Sequence, residues 1–437
     1  MKVHAIGGYN QVGKNMTAVE VEDGIVLIDM GYDMEEVVEE DNEIEELNTK
    51  ETIELGAIPD DSKIHDKKEK VKAIIIGHGH LDHVGAVPKL AGSYDCPILA
   101  TPFTMSVLKR MVEQDKKNLN NKMIEMEPGD TYQASDSIEI EFVNITHSIP
   151  GAVMPVVHTD EGTLVYGLDN RLDDDPVLGE KPDYERMREL GEEGVKVFIG
   201  DSTRVDEPGR VMSESIVETE LKHTIDQAYQ DNGGVFITTF SSHIERLTSI
   251  LKANDGRRKV ALIGRSLKEY TNSAEELGMI DLSDVEVVSY WNETNELLEE
   301  ISKERDEWLV VCTGHQGEPG AALTRMAKGE YPMEIQEGDN VIFSSSIIPS
   351  PLNRASRYRL DKMIKRAGGR VISEVHVSGH SKREDCRDLL LMLKPEKLIP
   401  SHGSTEMAAH HATLAREEGY TLNEDVFIVE NGNTVDL

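Results

Sequence analysis

Four side chains of metal-binding type fall within the six residues His78-Gly79-His80-Leu81-Asp82-His83. They directly follow the apolar run VKAIIIG, which predicts a buried strand that ends where the histidines begin. The glycine between His78 and His80 lets an extended chain direct both imidazoles to the same side. One metal ion could take this pair, and a second ion about 3.5–4 Å away could take Asp82 and His83. Because buried polar groups without partners are costly, so dense a cluster favours a metal centre over core structure.

Three further ligand candidates follow other predicted strands. They are His147 after EFVNIT, Asp169 after TLVYGL and His402 after KLIPS. Each alone could equally be an ordinary hydrogen-bonded residue or part of a turn, but their shared position predicts that they converge on one rim. Imidazole and carboxylate without thiolate favour zinc or manganese, and a carboxylate such as that of Asp169 could bridge two ions. Two such ions could polarise a phosphoryl oxygen and deliver hydroxide in line.

The apolar patterning predicts how the elements that carry these residues are arranged. The first 30 residues alternate glycine turns with period-2 apolar segments, which predicts hairpins. Short strands follow, in PILAT, IEIEFVNITH, GTLVYGLDN and VKVFIGDST. From residue 206, helical segments alternate with the strands GGVFITTF, KVALIG, WLVVCTG and DNVIFSSS, which predicts a parallel α/β unit. From about residue 370 the pattern returns to strand, loop and helix, in RVISEVHVSGH and PEKLIPSHG.

Length, charge and cysteine content exclude several classes of protein. The 437 residues suggest roughly two or three domains. No run of about 18 apolar residues predicts a transmembrane helix, and the N-terminus lacks the pattern of a secretory signal. Cys96, Cys312 and Cys386 lie far apart, so no disulfide framework is expected and a reducing cytoplasm is the predicted compartment. Residues 33–70 hold 15 acidic and 5 basic side chains with little apolar periodicity, which favours a solvated surface segment.

Several motifs in a fixed order resemble one known family. They are GGYNQVGKNM near the N-terminus, GDSTRVDEPG at 200–209, TTFSSHIERL at 238–247, TGHQGEP at 313–319 and the pair VSGH and PSHG. The HxHxDH motif resembles that of the metallo-β-lactamase superfamily, and the whole set resembles the ribonuclease J family of its β-CASP branch. The resemblance covers essentially the whole chain. It implies an α/β fold, a metallo-β-lactamase αββα sandwich (residues 1–205 and 366–437) with an inserted α/β β-CASP domain (residues 206–365).

The resemblance also implies roles for individual residues. One metal ion would be held by His78, His80, His147 and Asp169, and the other by Asp82, His83, Asp169 and His402. Asp29, which ends IVLID, would orient the histidines that bind the metal. Asp201 in GDST and His380 in VSGH match the acidic residue and the histidine that, with Asp82, act in catalysis. His380 would lie at the scissile phosphate and stabilise charge there.

A pocket for a 5′-terminal monophosphate is a further implication of the resemblance. Its residues would be Ser241, Ser242, Gly314, Gln316, Gly317 and Glu318, with Ser378 and His380 at the RNA phosphates. Hydroxyls and glycine-rich backbone N–H groups after a strand suit an anion, although two serines there could equally cap a helix. The chain departs from the family pattern at His315, where a small residue is expected, and at Ser404, where an acidic residue is common.

The net charge of −36 is unexpected for a protein that binds RNA, a polyanion. Residues 351–370, however, hold seven basic side chains and one acidic side chain. Arg354, Arg357, Lys362, Lys365 and Arg366 fall partly at helical spacing and could line an RNA groove, to which Arg265 and Lys268 could add. The alternative is a surface helix that pairs with the acidic remainder of the chain.

Taken together, the sequence predicts a metal-dependent ribonuclease with two divalent ions, Zn²⁺ first and Mn²⁺ as the alternative. The resemblance favours 5′-to-3′ exonuclease action on single-stranded RNA with a 5′-monophosphate, and endonuclease action occurs in the same family. A homodimer without membrane association is expected, and the short stretch after His402 resembles archaeal members. The alternatives are an RNA endonuclease of the cleavage-factor type and a non-catalytic RNA-binding scaffold. The GGYNQVGKNM opening argues against the first, and the presence of every expected ligand argues against the second.

Overall fold

The computed structural model describes residues 1–34, 36, 47–115, 119–348, 350–373 and 375–437. Residues 35 and 37–46 of the predicted acidic segment lie outside the described residues. The chain packs as two compact units. The first comprises Met1–Asp174, Glu180–Val211 and Gly379–Leu437, and the second comprises Asp175–Gly179 and Met212–Ser378.

Strands make up three sheets in the described part of the chain. They are β1 (Lys2–Gly7), β2 (Met16–Val21), β3 (Gly24–Ile28), β4 (Val71–Ile75), β5 (Ile98–Ala100), β6 (Met123–Glu125), β7 (Thr131–Gln133), β8 (Ile138–Asn144), β9 (Val153–Thr159), β10 (Gly162–Gly167), β11 (Val195–Asp201), β12 (Val235–Thr238), β13 (Lys259–Ile263), β14 (Val285–Val288), β15 (Trp308–Cys312), β16 (Asn340–Phe343), β17 (Arg370–Ile372), β18 (Lys397–Ser401) and β19 (Thr434–Asp436).

Helices cover the faces of these sheets. They are α1 (Thr49–Leu55), α2 (Ser62–His65), α3 (Leu81–Val84), α4 (Val87–Leu90), α5 (Pro102–Gln114), α6 (Tyr184–Glu193), α7 (Glu214–Ala228), α8 (Ile244–Asn254), α9 (Arg265–Glu276), α10 (Trp291–Ile301), α11 (Ala322–Lys328), α12 (Pro351–Arg366), α13 (Arg383–Leu393) and α14 (Thr405–Glu417).

The first unit is the predicted αββα sandwich, which the structure confirms. One sheet has the order β19-β1-β2-β3-β4-β5-β6 and the other the order β18-β11-β10-β9-β8-β7. The first three strands pair antiparallel, as the predicted hairpins require. Apolar side chains of both sheets, among them Ile75 and Phe142, share one buried core. Two further clusters cover the outer faces, one with Leu108 of α5 and one with Leu390 of α13.

The second unit confirms the predicted parallel α/β arrangement. Its sheet has the order β14-β13-β15-β12-β16-β17, and all neighbouring strands run parallel. Helices α10, α11 and α12 contribute Leu298, Met326 and Ile364 to a core with Phe236 and Val310 of the sheet. Burial of these side chains supplies the main stabilisation of the unit, at roughly 25 cal/mol per Å² of apolar surface.

The bounds of the two compact units along the chain differ from the predicted domain bounds. The prediction ends the inserted domain at residue 365, whereas the second unit extends to Ser378. The reason is β17, which follows the basic helix and pairs in parallel with β16. Residues 175–179 also pack in the second unit, where the backbone N–H groups of Val177 and Leu178 donate to Glu245.

Strand β9 is one element that the sequence pattern did not predict. It contains Pro155, which lacks the N–H group that a central strand normally donates. The pairing of β9 with β10 ends at Val156, so the missing N–H of Pro155 falls beyond that ladder. On its other side β9 pairs with β8 along its whole length.

The buried carboxylate of Glu141 on β8 makes the stability of the first unit dependent on pH. Glu141 accepts hydrogen bonds from Arg186, at 2.7 Å, and from His158, at 2.8 Å. Burial acts to raise the pKa of Glu141, but His158 and Arg186 outweigh burial and lower the pKa to about 2. A carboxyl with a lowered pKa stabilises the fold above its unfolded pKa, and this stabilisation is lost as the pH falls toward 2.

We therefore expect Glu141→Gln to lower the free energy of unfolding by on the order of 3 kcal/mol at pH 7. The difference from the wild type should shrink as the pH falls from about 4 to 2, because the wild-type carboxyl then becomes neutral as well. Urea unfolding of both proteins at several pH values measures this difference in the free energy of unfolding. Glu139→Gln, on the same strand, is the matched control and should change little. An equal loss at pH 7 and pH 3 would contradict this account.

Candidate active site

Seven side chains of the first unit converge into two overlapping clusters of metal-ligand type. The first is His78, His80, His147 and Asp169, and the second is Asp82, His83, Asp169 and His402. Within each cluster, one ligand atom of every member lies within 4.8 Å of those of the others. The structure thus brings together all seven residues that the sequence predicts as metal ligands, and Asp169 alone belongs to both clusters.

Strand ends place these side chains. His78 follows β4, His147 follows β8, and Asp169 and His402 follow the strands β10 and β18, which both run parallel to β11 between them. Asp29, Asp169 and His402 have φ angles of 61°, 52° and 51°, in the left-handed region. That conformation is unfavourable for residues with a Cβ atom, so the surrounding contacts must hold it. The sharp turn directly after a strand directs each side chain into the site.

Hydrogen bonds at Nδ1 fix which nitrogen of two histidines faces the cluster. His147 Nδ1 lies 2.7 Å from the carbonyl oxygen of Gly379, and a carbonyl only accepts, so Nδ1 carries the hydrogen. His83 Nδ1 lies 2.7 Å from Asp29, whose other oxygen accepts from the backbone N–H of Gly77. Asp29 is therefore in contact with a ligand histidine, where the sequence prediction puts it. In both histidines the lone pair of Nε2 points at the cluster.

The carboxylate of Asp169 tests whether the clusters suit metal ions. Its Oδ1 is buried and has no hydrogen-bond partner among the described residues, although it lies 3.2 Å from Nε2 of His83 and of His402. Its Oδ2 lies 3.4 Å from Nε2 of His147 and 3.5 Å from that of His78. The Nε2 lone pairs of His83 and His147 face these oxygens and repel them unless a cation lies between. Nitrogen and carboxylate donors suit a divalent ion such as Zn²⁺ or Mn²⁺, so the residues present fit such ions.

The charges around the clusters also favour the binding of cations. Burial lowers the pKa of His80 and of His147 well below the ordinary value, so both are neutral ligands at pH 7. Burial acts in the same direction on His83, but Asp169, Asp29 and Asp82 outweigh it and raise its pKa well above the ordinary value. The potential at His83 is therefore strongly negative, which attracts cations to this cluster.

Asp201 and His380, which the sequence predicts as catalytic, lie next to the first cluster. His380 Nδ1 is 2.7 Å from Asp201 Oδ2, and the other oxygen of Asp201 accepts from the backbone N–H of Thr203 at 2.8 Å. Burial lowers the pKa of His380, but Asp201 and Asp169 raise it overall, to about 9. Asp201, which lies outside the two clusters, therefore favours the protonated form of His380, which is a hydrogen-bond donor.

The residues predicted for the phosphate pocket belong mostly to the second unit, where some already have partners in the fold. Gln316 donates through Nε2 to the carbonyl of Ser346 and accepts through Oε1 from the N–H of Ile348, so its amide holds that loop. Glu318 accepts from the N–H of Gln316 at 3.0 Å. Gly314 and Gly317 have φ angles of 120° and 81°, which favour glycine.

The two serines of TTFSS do not cap the next helix, which was the alternative to a phosphate site. Helix α8 has His243 at its N-cap. Ser241 Oγ instead lies 2.9 Å from Ser266 Oγ, and Ser242 is buried. Ser378 is the last residue of the second unit, one residue before Gly379.

The two departures from the family pattern have structural roles in this chain. His315 packs its ring against Phe240, with the ring centroids 4.3 Å apart. Ser404 is the N-cap of α14 and accepts from the N–H of Met407. Neither residue belongs to the metal clusters.

The predicted basic helix forms as α12, but one of its arginines is not available to RNA. Arg354, Lys362, Lys365 and Arg366 are exposed. Arg357 is only 3% exposed, donates to Asp361 at 2.9 Å and lies over the ring of Phe343. Arg265 is exposed and Lys268 half-buried on α9.

Thr203 and the carbonyl of Gly379 are contacts of the site that sequence reasoning missed. Thr203 lies inside the GDST motif, beside the predicted Asp201, and could have been found there. The Gly379 contact uses a backbone oxygen, for which residue type gives no signal.

Comparisons with protein families match three regions of the chain. Residues 9–119 match the metallo-beta-lactamase superfamily, residues 232–361 match "Ribonuclease J, beta-CASP domain", and residues 369–429 match "Zn-dependent metallo-hydrolase RNA specificity domain". A crystal structure of a protein of unknown function from Enterococcus faecalis V583 has the same fold. It covers 100% of this chain and 99% of its own, with a TM-score of 0.67 and 17% identity. None of the described helices combines the length and apolarity needed to span a bilayer.

Curated relatives extend over the full length of the chain. Ribonuclease J of Pyrococcus abyssi is 44% identical, covering 100% of this chain and 97% of its own. Ribonuclease J of Methanocaldococcus jannaschii is 42% identical, with 99% and 98% covered. Ribonuclease J2 of Bacillus subtilis is 30% identical over 100% of this chain and 75% of its own. With this identity over the full length, the chain belongs to the ribonuclease J family, and the predicted resemblance is confirmed.

Proposed function

We propose that this chain hydrolyses RNA phosphodiesters as a metal-dependent ribonuclease, with two divalent cations held by the seven-residue cluster. The observation that carries the proposal is the buried Asp169 carboxylate, which lies between histidine lone pairs of both clusters without a hydrogen-bond donor for Oδ1 among the described residues. When bound, two such cations activate water and offset the charge that develops on phosphoryl oxygens. The curated relatives named ribonuclease J support RNA as the substrate.

The residues of the chain act on the phosphate around those cations. Asp201 accepts a hydrogen bond from Nδ1–H of His380 and so orients its ring. We propose that Nε2 of the charged His380 donates a hydrogen bond to a phosphoryl oxygen, or a proton to the oxygen that leaves. The side chain of His380 is 23% exposed, so it is open to a substrate.

We further propose 5′-to-3′ exonuclease action that starts from a 5′-monophosphate, in a homodimer. The family resemblance supports it, together with the hydroxyl of Ser241 and the glycine conformations at Gly314 and Gly317, which suit an anion. Because the side chains of Gln316 and Glu318 already hold the loop, we assign phosphate binding mainly to hydroxyl and backbone groups. Endonuclease cleavage at the same metal centre is the second candidate.

The first prediction concerns the number of bound metal ions. The wild type should bind two divalent ions per chain, and Asp169→Asn should lose both, because Asp169 alone is shared. His147→Ala and His402→Ala should each lose one. Mass spectrometry of the metal content after dialysis measures this, with His223→Ala on the exposed face of α7 as the control. Retention of two ions by Asp169→Asn would contradict the bridged arrangement.

The second prediction concerns His380. His380→Ala should slow RNA cleavage by roughly 10²–10⁴-fold, because a positioned acid is lost, while both metal ions remain bound. Single-turnover rates with saturating metal, together with the metal content, separate the two effects. A variant that cleaves at the wild-type rate would remove His380 from the mechanism.

The third prediction concerns the direction of cleavage. RNA labelled at its 3′ end, with a 5′-monophosphate, should disappear without discrete intermediates, and the 5′-triphosphate form should be attacked slowly. Ser241→Ala should weaken the preference for the monophosphate. The double variant Asp82→Ala, His83→Ala is the inactive control. Discrete internal fragments from both RNAs would instead show an endonuclease, and bound but uncleaved RNA would favour the scaffold.

A further inference from the structure

Asn15, which belongs to the N-terminal GGYNQVGKNM motif, contacts both Asp82 and His402 of the second metal cluster. It is fully buried in the loop between β1 and β2. Its backbone N–H donates to the carbonyl of Asp82, and its carbonyl accepts from the N–H of Gly31, each at 3.0 Å. The motif marks the family in the sequence, but neither the spacing nor the resemblance assigned a role to Asn15.

The contacts of the Asn15 side chain determine which way its amide points. Nδ2 lies 3.0 Å from the carbonyl oxygen of Asp82. A carbonyl accepts and cannot donate, so this end must be the NH₂ group and the other end the oxygen. The same Nδ2 lies 3.0 Å from Nε2 of His83.

The amide orientation in turn determines the tautomer of His402. Oδ1 of Asn15 lies 3.0 Å from Nδ1 of His402, so Nδ1 must carry the hydrogen. The N–H of Gly13 is also near this nitrogen but farther away, at 3.4 Å. The lone pair of His402 is therefore on Nε2, which lies 3.2 Å from Oδ1 of Asp169 and 3.8 Å from Oδ2 of Asp82.

Two glycines, Gly8 and Gly31, allow the chain to approach Asn15 and Asp82 closely. A Cβ atom on Gly8 would lie 2.2 Å from Oδ1 of Asn15, and one on Gly31 would lie 1.6 Å from the carbonyl oxygen of Asp82. The carbonyl of Gly8 accepts from the backbone N–H of His402 at 2.6 Å. The N-terminal loop thus contacts His402 at its backbone and at its ring.

We propose that Asn15 is a positioning residue for the second cluster, whose amide oxygen holds the Nδ1 hydrogen of His402 and so presents Nε2 to the cation shared with Asp82, His83 and Asp169. The inference rests on the proposed two-ion site. Asp29 does the same for His83 with a carboxylate. A neutral amide beside His402 orients the ring without adding negative charge to a cluster that already contains Asp82 and Asp169 and lies next to Asp29.

Metal affinity tests the proposal in the full-length chain. Zn²⁺ or Co²⁺ is titrated against a chromophoric chelator, and Asn15→Leu should bind one of its two ions roughly 10–100-fold more weakly, as expected when a group that orients a ligand is lost. That ion should be the one lost in His402→Ala, and the other should bind as in the wild type. Asn15→Asp should bind that ion more tightly than Asn15→Leu, because one carboxylate oxygen still accepts the Nδ1 hydrogen, but less tightly than the wild type, because the other oxygen faces the carbonyl of Asp82.

Thr17→Val is the matched control, since Thr17 is equally buried and bonds Tyr9 rather than a metal ligand. If Asn15→Leu does not fold, Asn15→Ala replaces it, because the smaller side chain fits the same space. Wild-type affinity for both ions in the Leu or Ala variant, even with a lower melting temperature, would overturn the proposal.

The same samples keep this inference separate from the proposed function. A wild-type chain that binds two ions but cleaves no RNA would overturn the ribonuclease proposal and leave the role of Asn15 to the affinity data. Normal cleavage together with unchanged ion binding in Asn15→Leu would overturn only the role of Asn15.

Discussion

The shared carboxylate of Asp169 is the constraint on which the rest of the site depends. It is 2% exposed, and each of its oxygens lies within about 3.5 Å of two histidine nitrogens. A buried carboxylate without a donor is unfavourable by several kcal/mol unless a cation compensates. The donor set around Asp169 thus suits divalent cations.

The sandwich provides this arrangement through adjacent parallel strands. Strands β10, β11 and β18 end side by side, and Asp169, Asp201 and His402 lie at or directly after those ends. Residues with φ angles in the left-handed region follow the strands and turn the side chains toward the site. The hydrogen bonds of His83 and His147 at Nδ1, to Asp29 and to the carbonyl of Gly379, then fix the rings. Position, orientation and charge therefore come from different parts of the first unit.

Residue type and spacing were sufficient to select the seven side chains that converge in the structure and to predict the parallel α/β unit, and the family resemblance added the sandwich. Four ligand-type side chains within six residues after a buried strand strongly favour a metal centre, and period-2 and strand–helix patterns distinguish hairpins from a parallel α/β unit. The remainder depends on tertiary contacts that leave no local pattern. Arg357 lies at helical spacing with exposed bases, yet it is buried against Phe343. Strand β17 pairs with β16 in the second unit, although the sequence pattern predicts it to be part of the segment that returns to the first domain.

Anomalous diffraction from crystals grown with Zn²⁺ or Mn²⁺ tests the central claim most directly. The account predicts two anomalous peaks, about 3.5–4 Å apart, with one oxygen of Asp169 bonded to each ion. The ion at Oδ2 should contact His78, His80 and His147, and the ion at Oδ1 should contact Asp82, His83 and His402. A single peak, or two peaks of which neither contacts Asp169, would contradict the account.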